Sequence, residues 1–271
     1  MTSEQVSIPE PKSEPEFAWP VVRSVGADAP WRWLRLGWED VCAAPGPSLF
    51  YGLVLAVMGW LLIRYYDGAI GLAFTTGFLL VGPFLAFGLY DISRRRSRGE
   101  SVALGPTLAA WRDNAPSIGF YALMLTLSLA AWIRMSLAVV GLFYPAGAPS
   151  LGTLLAKLGS SPEGLTFVLA YIAAGSLLAL FVFATSAVAL PMLLDRSRMD
   201  TISAMITSFK ALRTNLRPML TWAAMIVVLM VAGFATSCLG LVLAVPVVGH
   251  MAWHAYRDLV EPQAPAKQYV D

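Results

Sequence analysis

The chain has 271 residues, 57% of them apolar and 13% charged, where soluble domains carry roughly 25% charged residues. That deficit argues against an ordinary water-facing surface and suits a protein facing lipid, because a charge placed in hydrocarbon is costly. The 19 Lys and Arg nearly balance the 17 Asp and Glu, so the net charge of +2 names no partner, and Cys42 and Cys238 lie too far apart in sequence to suggest a disulfide framework or a thiolate metal site.

The first 17 residues, MTSEQVSIPEPKSEPEF, are polar, acidic and proline-containing, without the basic start and apolar run of a signal peptide. Residues 1–20 are expected to form a disordered cytosolic tail, followed by a membrane domain over 21–260 and a second cytosolic tail over 261–271. Ahead of the first apolar run, Trp31, Leu34, Trp38 and Val41 recur at helical spacing, with Arg32, Arg35 and Glu39 elsewhere. The pattern predicts a short amphipathic helix lying along the inner leaflet with its tryptophans at headgroup depth.

Uncharged runs then set the membrane spans. Val41–Ile63, Gly68–Tyr90, Ala115–Ile133 and Gly164–Leu194 carry no charge, and each accommodates one helix of about 20 apolar residues. Pro218–Tyr256 has 39 residues free of Asp, Glu, Lys and Arg. As one helix it would extend about 58 Å, nearly twice the hydrocarbon thickness, so it must fold back. Glycines and small polar residues place the turn at GFATSCLG, Gly233–Gly240. Six spans result, at about 48–66, 69–90, 117–138, 165–192, 218–235 and 238–257.

Two further short helices precede later spans. Pro106 opens one that carries Leu108 and Trp111 on a shared face. Asp200 N-caps TISAMITSFKALRTNL, whose Ile202, Met205, Ile206, Phe209, Leu212 and Leu216 fall on one side. Basic residues alternate with the spans. With both termini cytosolic, 16 Lys and Arg face the cytosol and two, Arg64 and Lys157, face outward, leaving Arg134 within the membrane. That bias is the one expected of a bacterial inner-membrane protein. The spread of cytosolic basic residues suits anionic inner-leaflet lipids rather than nucleic acid.

The chain therefore reads as an all-α membrane protein of three hairpins, each preceded by an amphipathic helix and a break at proline. The breaks are AAPGPSLFYG, RDNAPSIGFYA and RTNLRPMLTWA. The hairpins end alike, at FGLYDISRR, LPMLLDRSR and WHAYRDLV. In these endings Asp91 with Arg94, Asp195 with Arg196, and Asp258 with Arg257 are expected to form ion pairs at the inner surface that close each hairpin.

Few residues suggest chemistry. His250, His254 and Asp258, at i, i+4 and i+8, share one side of a helix and could bind zinc or iron with a further ligand such as Glu39, Asp91 or Asp195. Anchoring at the wet end of a helix, beside Trp253, Tyr256 and Arg257, is the simpler account, so no cofactor is expected. Arg134 is the one formal charge inside a span and a candidate anion site, although it can snorkel to the outer interface. Pro83, Pro191 and Pro246 permit kinks in the even-numbered spans. Phosphate loops, GxSxG elbows and HExxH motifs do not occur.

WLRLGWEDVCAAPGPSLFYG, FATSAVALPMLLDRSRMDTISAMITSFKALRTNLRPML and PVVGHMAWHAYRDLV, with the SSPEGL entrance to the fourth span, resemble an uncharacterised bacterial integral-membrane family. It is catalogued as domain of unknown function 2189. The resemblance runs from about Val21 to Val260, and the third passage is its most specific part. It implies a multi-pass inner-membrane protein of a Gram-negative bacterium, with no established activity. Met251 departs from the small residue expected there. Some members bear a name linking them to cytochrome c oxidase subunit I, but a haem-copper core needs several more histidines than the two present.

The expected function is accordingly that of a non-catalytic membrane assembly or accessory protein with a membrane-protein partner. A small-solute or lipid transporter is the alternative, and it predicts a shared polar face of Thr75, Thr76, Ser176, Thr185, Ser186 and Thr236. A respiratory redox or metal protein using His250 and His254 is the third.

Overall fold

The computed structural model describes residues 19–65, 86–145 and 162–262, together with Gly152. These residues are helical and form no strand, although one isolated antiparallel bridge joins Val22 to Val260. The elements are α1 (Ala29–Ala43), α2 (Pro45–Tyr65), α3 (Phe87–Ser97), α4 (Leu104–Leu108), a 3-10 turn (Ala110–Asn114), α5 (Ala115–Phe143), α6 (Pro162–Ser186), α7 (Ala189–Asp195), α8 (Thr201–Thr214), α9 (Leu216–Ala235) and α10 (Leu241–Leu259).

Four segments of the described residues are long and apolar enough to cross a membrane: Pro45–Leu62, Leu104–Phe143, Pro162–Asp195 and Leu216–Ala235. They overlap the first predicted span and contain the third, fourth and fifth. The predicted second span lies mostly outside the described residues, as do Thr75, Thr76, Pro83 and Lys157. The predicted sixth span corresponds to α10, which is not among the four. Its second half carries His250, His254, Arg257 and Asp258, and it is protein that covers this helix.

Local chemistry accounts for the boundaries. Pro30, Pro45 and Pro116 stand in the first turns of α1, α2 and α5, where the missing N–H has no intrahelical partner to lose. Pro191 does break its span, because its ring conflicts with the carbonyl four residues earlier. The helix stops at Ser186 and resumes at Ala189, and the Val188 N–H donates to Ser208 Oγ at 3.2 Å. Between α9 and α10, Ser237 and Cys238 adopt positive φ of 55° and 71°. The Thr236 hydroxyl closes that turn, accepting from the Gly240 N–H at 2.7 Å and donating to the Gly233 carbonyl at 2.8 Å. Asp200 caps α8 as expected, its carboxylate accepting from the Ser203 N–H at 2.9 Å.

The central helix is α10. Thirteen of its nineteen residues are buried, against 22% of the membrane-length window in α9. It runs against α1, α2, α3 and α9. Two glycines permit the closest approaches. A Cβ on Gly52 would lie 2.1 Å from the Val242 carbonyl oxygen, and one on Gly88 would lie 1.9 Å from the Tyr51 ring. Val242 is four residues before Pro246, which has no N–H to offer that carbonyl. α2 thus presses on α10 at the Val242 carbonyl, which Pro246 leaves without a helical partner. Trp33 of α1 packs edge-on against Trp222 of α9, with centroids 5.4 Å apart, a contact worth about 0.5–1.5 kcal/mol beyond its buried area.

The short helices have a polarity opposite to that of a soluble protein. In α8 the small residues Ala204, Thr207, Ser208 and Ala211 are buried, while Ile202 (59% exposed), Ile206 and Phe209 face outward. In α1, Trp33, Gly37, Asp40 and Ala44 are buried and Trp31 (63% exposed) and Trp38 are not. Leu108 and Trp111 are exposed, whereas Thr107, Ala110 and Asn114 are buried. Large apolar surface turned outward over a small-residue interior is stable where the surroundings are lipid.

An N-terminal strap, residues 21–25, fastens to the end of α10. The Arg23 N–H donates to the Leu259 carbonyl at 2.8 Å, and the Glu261 N–H to the Val21 carbonyl at 3.0 Å. Asn215, buried between α8 and α9, completes the strap, with Oδ1 accepting from the Val25 N–H at 2.8 Å and Nδ2 donating to the Arg23 carbonyl at 2.9 Å.

Candidate functional site

The densest buried polar chemistry in the described residues lies where α1, α2, α3 and α10 meet. Each helix contributes through its spacing. Trp33, Gly37, Asp40 and Ala44 share the buried face of α1, which turns Asp40 toward α10. On α10, His250 and His254 are one turn apart and both reach α1 or its neighbours.

The contacts form a continuous chain. The Ser93 hydroxyl on α3 donates to Asp40 Oδ2. Ser93 Oγ is then free to accept from His250 Nδ1 at 2.7 Å, and His250 Nε2 accepts from the Ser48 hydroxyl at 3.0 Å. A single ring proton on Nδ1 satisfies both contacts of His250. His254 Nε2 donates to Asp40 Oδ2 at 2.9 Å, and Arg96 Nη1 donates to Asp40 Oδ1. His250 and Ser48 are fully buried, and Asp40 is 5% exposed. Burial alone would raise the Asp40 carboxyl above its ordinary range. The hydrogen bonds from His254 and Ser93, with the nearby imidazoles, outweigh it and hold the carboxyl below.

A second layer of pairs surrounds this chain. Asp91 accepts from Arg94 at 2.6 Å and from Arg95 at 2.8 Å, and Arg94 also donates to the Leu194 carbonyl at 2.7 Å. Asp91 is fully buried and Arg94 nearly so. The pairs expected of Asp195 with Arg196 and of Asp258 with Arg257 do not form. Asp195 instead accepts from Arg98 at 2.9 Å, Tyr256 Oη at 2.9 Å and Arg257 at 3.4 Å. Arg196 donates to Tyr256 Oη at 3.2 Å. Asp258 accepts from Arg32 at 2.6 Å and Trp33 Nε1 at 2.7 Å. Arg257 and Asp258 are adjacent on α10 and do not face one another, and Arg196 lies past the end of α7 in extended backbone, so these four charges find their partners on other segments, whereas Asp91 pairs within α3.

The expected grouping of His250, His254 and Asp258 is likewise not assembled. His250 turns inward to Ser48 and Ser93, His254 turns to Asp40, and Asp258 turns to the start of α1. Eight residues rotate a helix by about 80° beyond two full turns, enough to send Asp258 to a different neighbour. Among the described residues no group of three or more His, Cys, Asp or Glu is placed to hold a metal ion.

Arg134 is exposed on α5. The described members of the expected polar face do not share a lining. Ser176 is exposed, Thr185 donates back to the Phe181 carbonyl at 3.0 Å, Ser186 is buried, and Thr236 belongs to the α9–α10 turn. Among the described residues, two cavities are apolar grooves, one between α1, α9 and α10 and one between α5, α6 and α8, and neither is lined by the Asp40 cluster.

Residues 71–195 match the model of a family described as Predicted integral membrane protein (DUF2189). The matched segment is similar to that family. It contributes Ser93 and Arg96 to the cluster, whereas Asp40, Ser48, His250 and His254 lie outside the matched residues. No curated protein and no solved structure matches the chain.

Asp40, Ser48, Ser93 and Arg96 were not anticipated from sequence. The signal for Asp40 was present, as a charge directly opposite the Trp31–Trp38 stripe and in phase with Trp33. Ser48 and Ser93 carry no such mark, because a serine in an apolar helix commonly bonds its own backbone.

Proposed function

We propose that this chain is a six-span inner-membrane protein with cytosolic termini that assembles with, or supports, other membrane components and catalyses no reaction. The observation that carries the reading is how the chemically capable side chains are used. Asp40, His250, His254, Arg96 and Asp91 are engaged with one another or with helix partners, and most are buried. What the protein offers its surroundings is apolar, through the outward faces of α1, α4 with its 3-10 turn, and α8.

A threefold repeat of helix plus hairpin supports the six-span reading. Tyr51, Tyr121 and Trp222 are buried aromatics early in their spans, and seven residues before each stands a buried residue: Ala44, Asn114 and Asn215. Four residues earlier again stand Asp40, Ala110 and Ala211, all buried. We assign the basic inner loops to contact with anionic inner-leaflet lipids.

Purification of the intact chain from membranes in mild detergent, followed by identification of what accompanies it, tests the proposal. A stoichiometric membrane-protein companion that is lost when Ile206 and Phe209 are changed to serine is the expected result. Emergence of the protein alone, at every detergent tested, overturns it.

A further inference from the structure

The larger groove lies between α1, α9 and α10 and has a volume of about 520 Å³, within the range of small-molecule sites. Its walls include Trp31, Leu34 and Trp38 on one side and Ala232, Leu243 and Ala244 on the other. One lining side chain is charged: Arg35, which stands between the two tryptophans in helical phase. Arg35 is 70% exposed and lies 3.6 Å from Glu39, itself 55% exposed.

This arrangement has a defined chemical complement. The groove accepts a hydrocarbon chain but offers it no polar partner. Arg35 stands at its rim, beside two indoles that favour headgroup depth and attract ammonium groups, and Glu39, one helical turn along α1 and outside the lining, pairs with it. A lipid with a phosphate alone would satisfy Arg35 and be repelled by Glu39. A lipid carrying both a phosphate and a primary amine satisfies both. We infer that this groove is a binding site for a zwitterionic, amine-bearing phospholipid: one acyl chain lies between α1, α9 and α10, the phosphate accepts from Arg35, and the ammonium donates to Glu39. The site is distinct from the general attraction of basic loops for anionic lipid, and it does not depend on the accessory role.

Native mass spectrometry of the delipidated full-length protein in detergent reads this directly, with phosphatidylethanolamine and phosphatidylglycerol of identical chains as probes. One phosphatidylethanolamine is expected to bind in preference to phosphatidylglycerol. Arg35→Ala should weaken its binding about two- to fivefold, the scale of one exposed ion pair. Glu39→Gln should abolish the preference between the two lipids, while Ala244→Phe, which fills the groove, should weaken both. Thermal unfolding of each variant separates loss of the site from loss of the fold, and Ala232→Phe, on the exposed rim of the same groove, replaces Ala244→Phe if that variant unfolds. Equal or tighter binding of phosphatidylglycerol overturns the assignment, as does phosphatidylethanolamine binding that survives the Arg35 and groove-filling changes.

Discussion

His254 Nε2 lies 2.9 Å from Asp40 Oδ2, a bond that spans 214 residues of sequence and holds α10 to α1. Asp40 also accepts from Ser93 and Arg96. Removing it strands three donors at once, whereas removing Asp258 strands Arg32 and Trp33 at a site where both charged partners are more than a third exposed. Asp40→Ala should therefore lower stability by about 3 kcal/mol, the lower end for a broken buried pair because Arg96 keeps some solvent. Asp258→Ala should cost about 1 kcal/mol or less. Unfolding of both variants in detergent gives the comparison, and equal losses would show that the Asp40 cluster carries no special share of the packing.

Acid should act on the same contact. The Asp40 carboxyl titrates below its ordinary value of 3.8 in the folded protein. A lowered folded value means that the carboxylate's stabilisation is complete above the ordinary value and disappears as pH falls through the folded one. The α1–α10 contact is thus expected to hold at neutral pH and to weaken below about pH 4. Trp33, buried beside Trp222, offers a fluorescence signal for its loss. Asp40→Asn should flatten that acid limb, and an unchanged limb in the variant would assign the titration to another group.

Glycine substitutions should divide by what each new methyl meets. Gly52→Ala places carbon 2.1 Å from the Val242 carbonyl oxygen, a backbone atom that cannot move aside alone, and should cost about 1–3 kcal/mol. Gly119→Ala on α5 meets nothing within 4 Å and should stabilise by roughly 0.5–1 kcal/mol through helix propensity. Thermal midpoints of the two variants in one detergent suffice, and the expectation fails if their order is reversed.

Asn114 serves as a backbone partner for the last turn of α7 and the non-helical segment that follows it. Its Nδ2 lies 3.1 Å from the Leu193 carbonyl, 3.0 Å from that of Met199 and 3.4 Å from that of Arg196. Asn114→Ala should cost about 1–3 kcal/mol for buried acceptors left unpaired, and should speed proteolysis between α7 and α8. Asp200→Ala, which removes the cap that starts α8, should cost about 0.5–2 kcal/mol. Limited proteolysis that leaves the α7–α8 connection as resistant in both variants as in the parent would count against both assignments.

Much of this fold is legible in the sequence because membrane helices announce themselves by charge-free length. The α9–α10 turn was readable from Gly233–Gly240, and the start of α8 from Asp200. The predicted stripes of α1 and α8 are exposed at Trp31, Trp38, Ile202, Ile206, Phe209 and Leu216, but Val41 and Leu212, assigned to the same stripes, are buried in the core. Partner choice was not readable. Asp195 and Arg196 are adjacent in sequence, which suggests a pair, but α7 ends at Asp195 and Arg196 follows in extended backbone, so the packing of α3, α7 and α10 decides their partners. The spacing of the two histidines is local and visible in sequence, as anchoring groups or candidate ligands, whereas Asp40, which orients His254 and reaches His250 through Ser93, comes from more than 200 residues away.

The strap and the Asp40 cluster set an order on synthesis. Arg32 and Asp258 are separated by 226 residues, which a ribosome adds in about 10–45 s at roughly 5–20 residues per second. Through that interval Trp33 and Asp40 have no α10 to rest on, and the helix that begins the bundle must wait for the one that ends it. A chain interrupted before α10 keeps the Ser93 and Arg96 contacts of Asp40 but lacks the His254 bond and the α10 face that Trp33 packs beside.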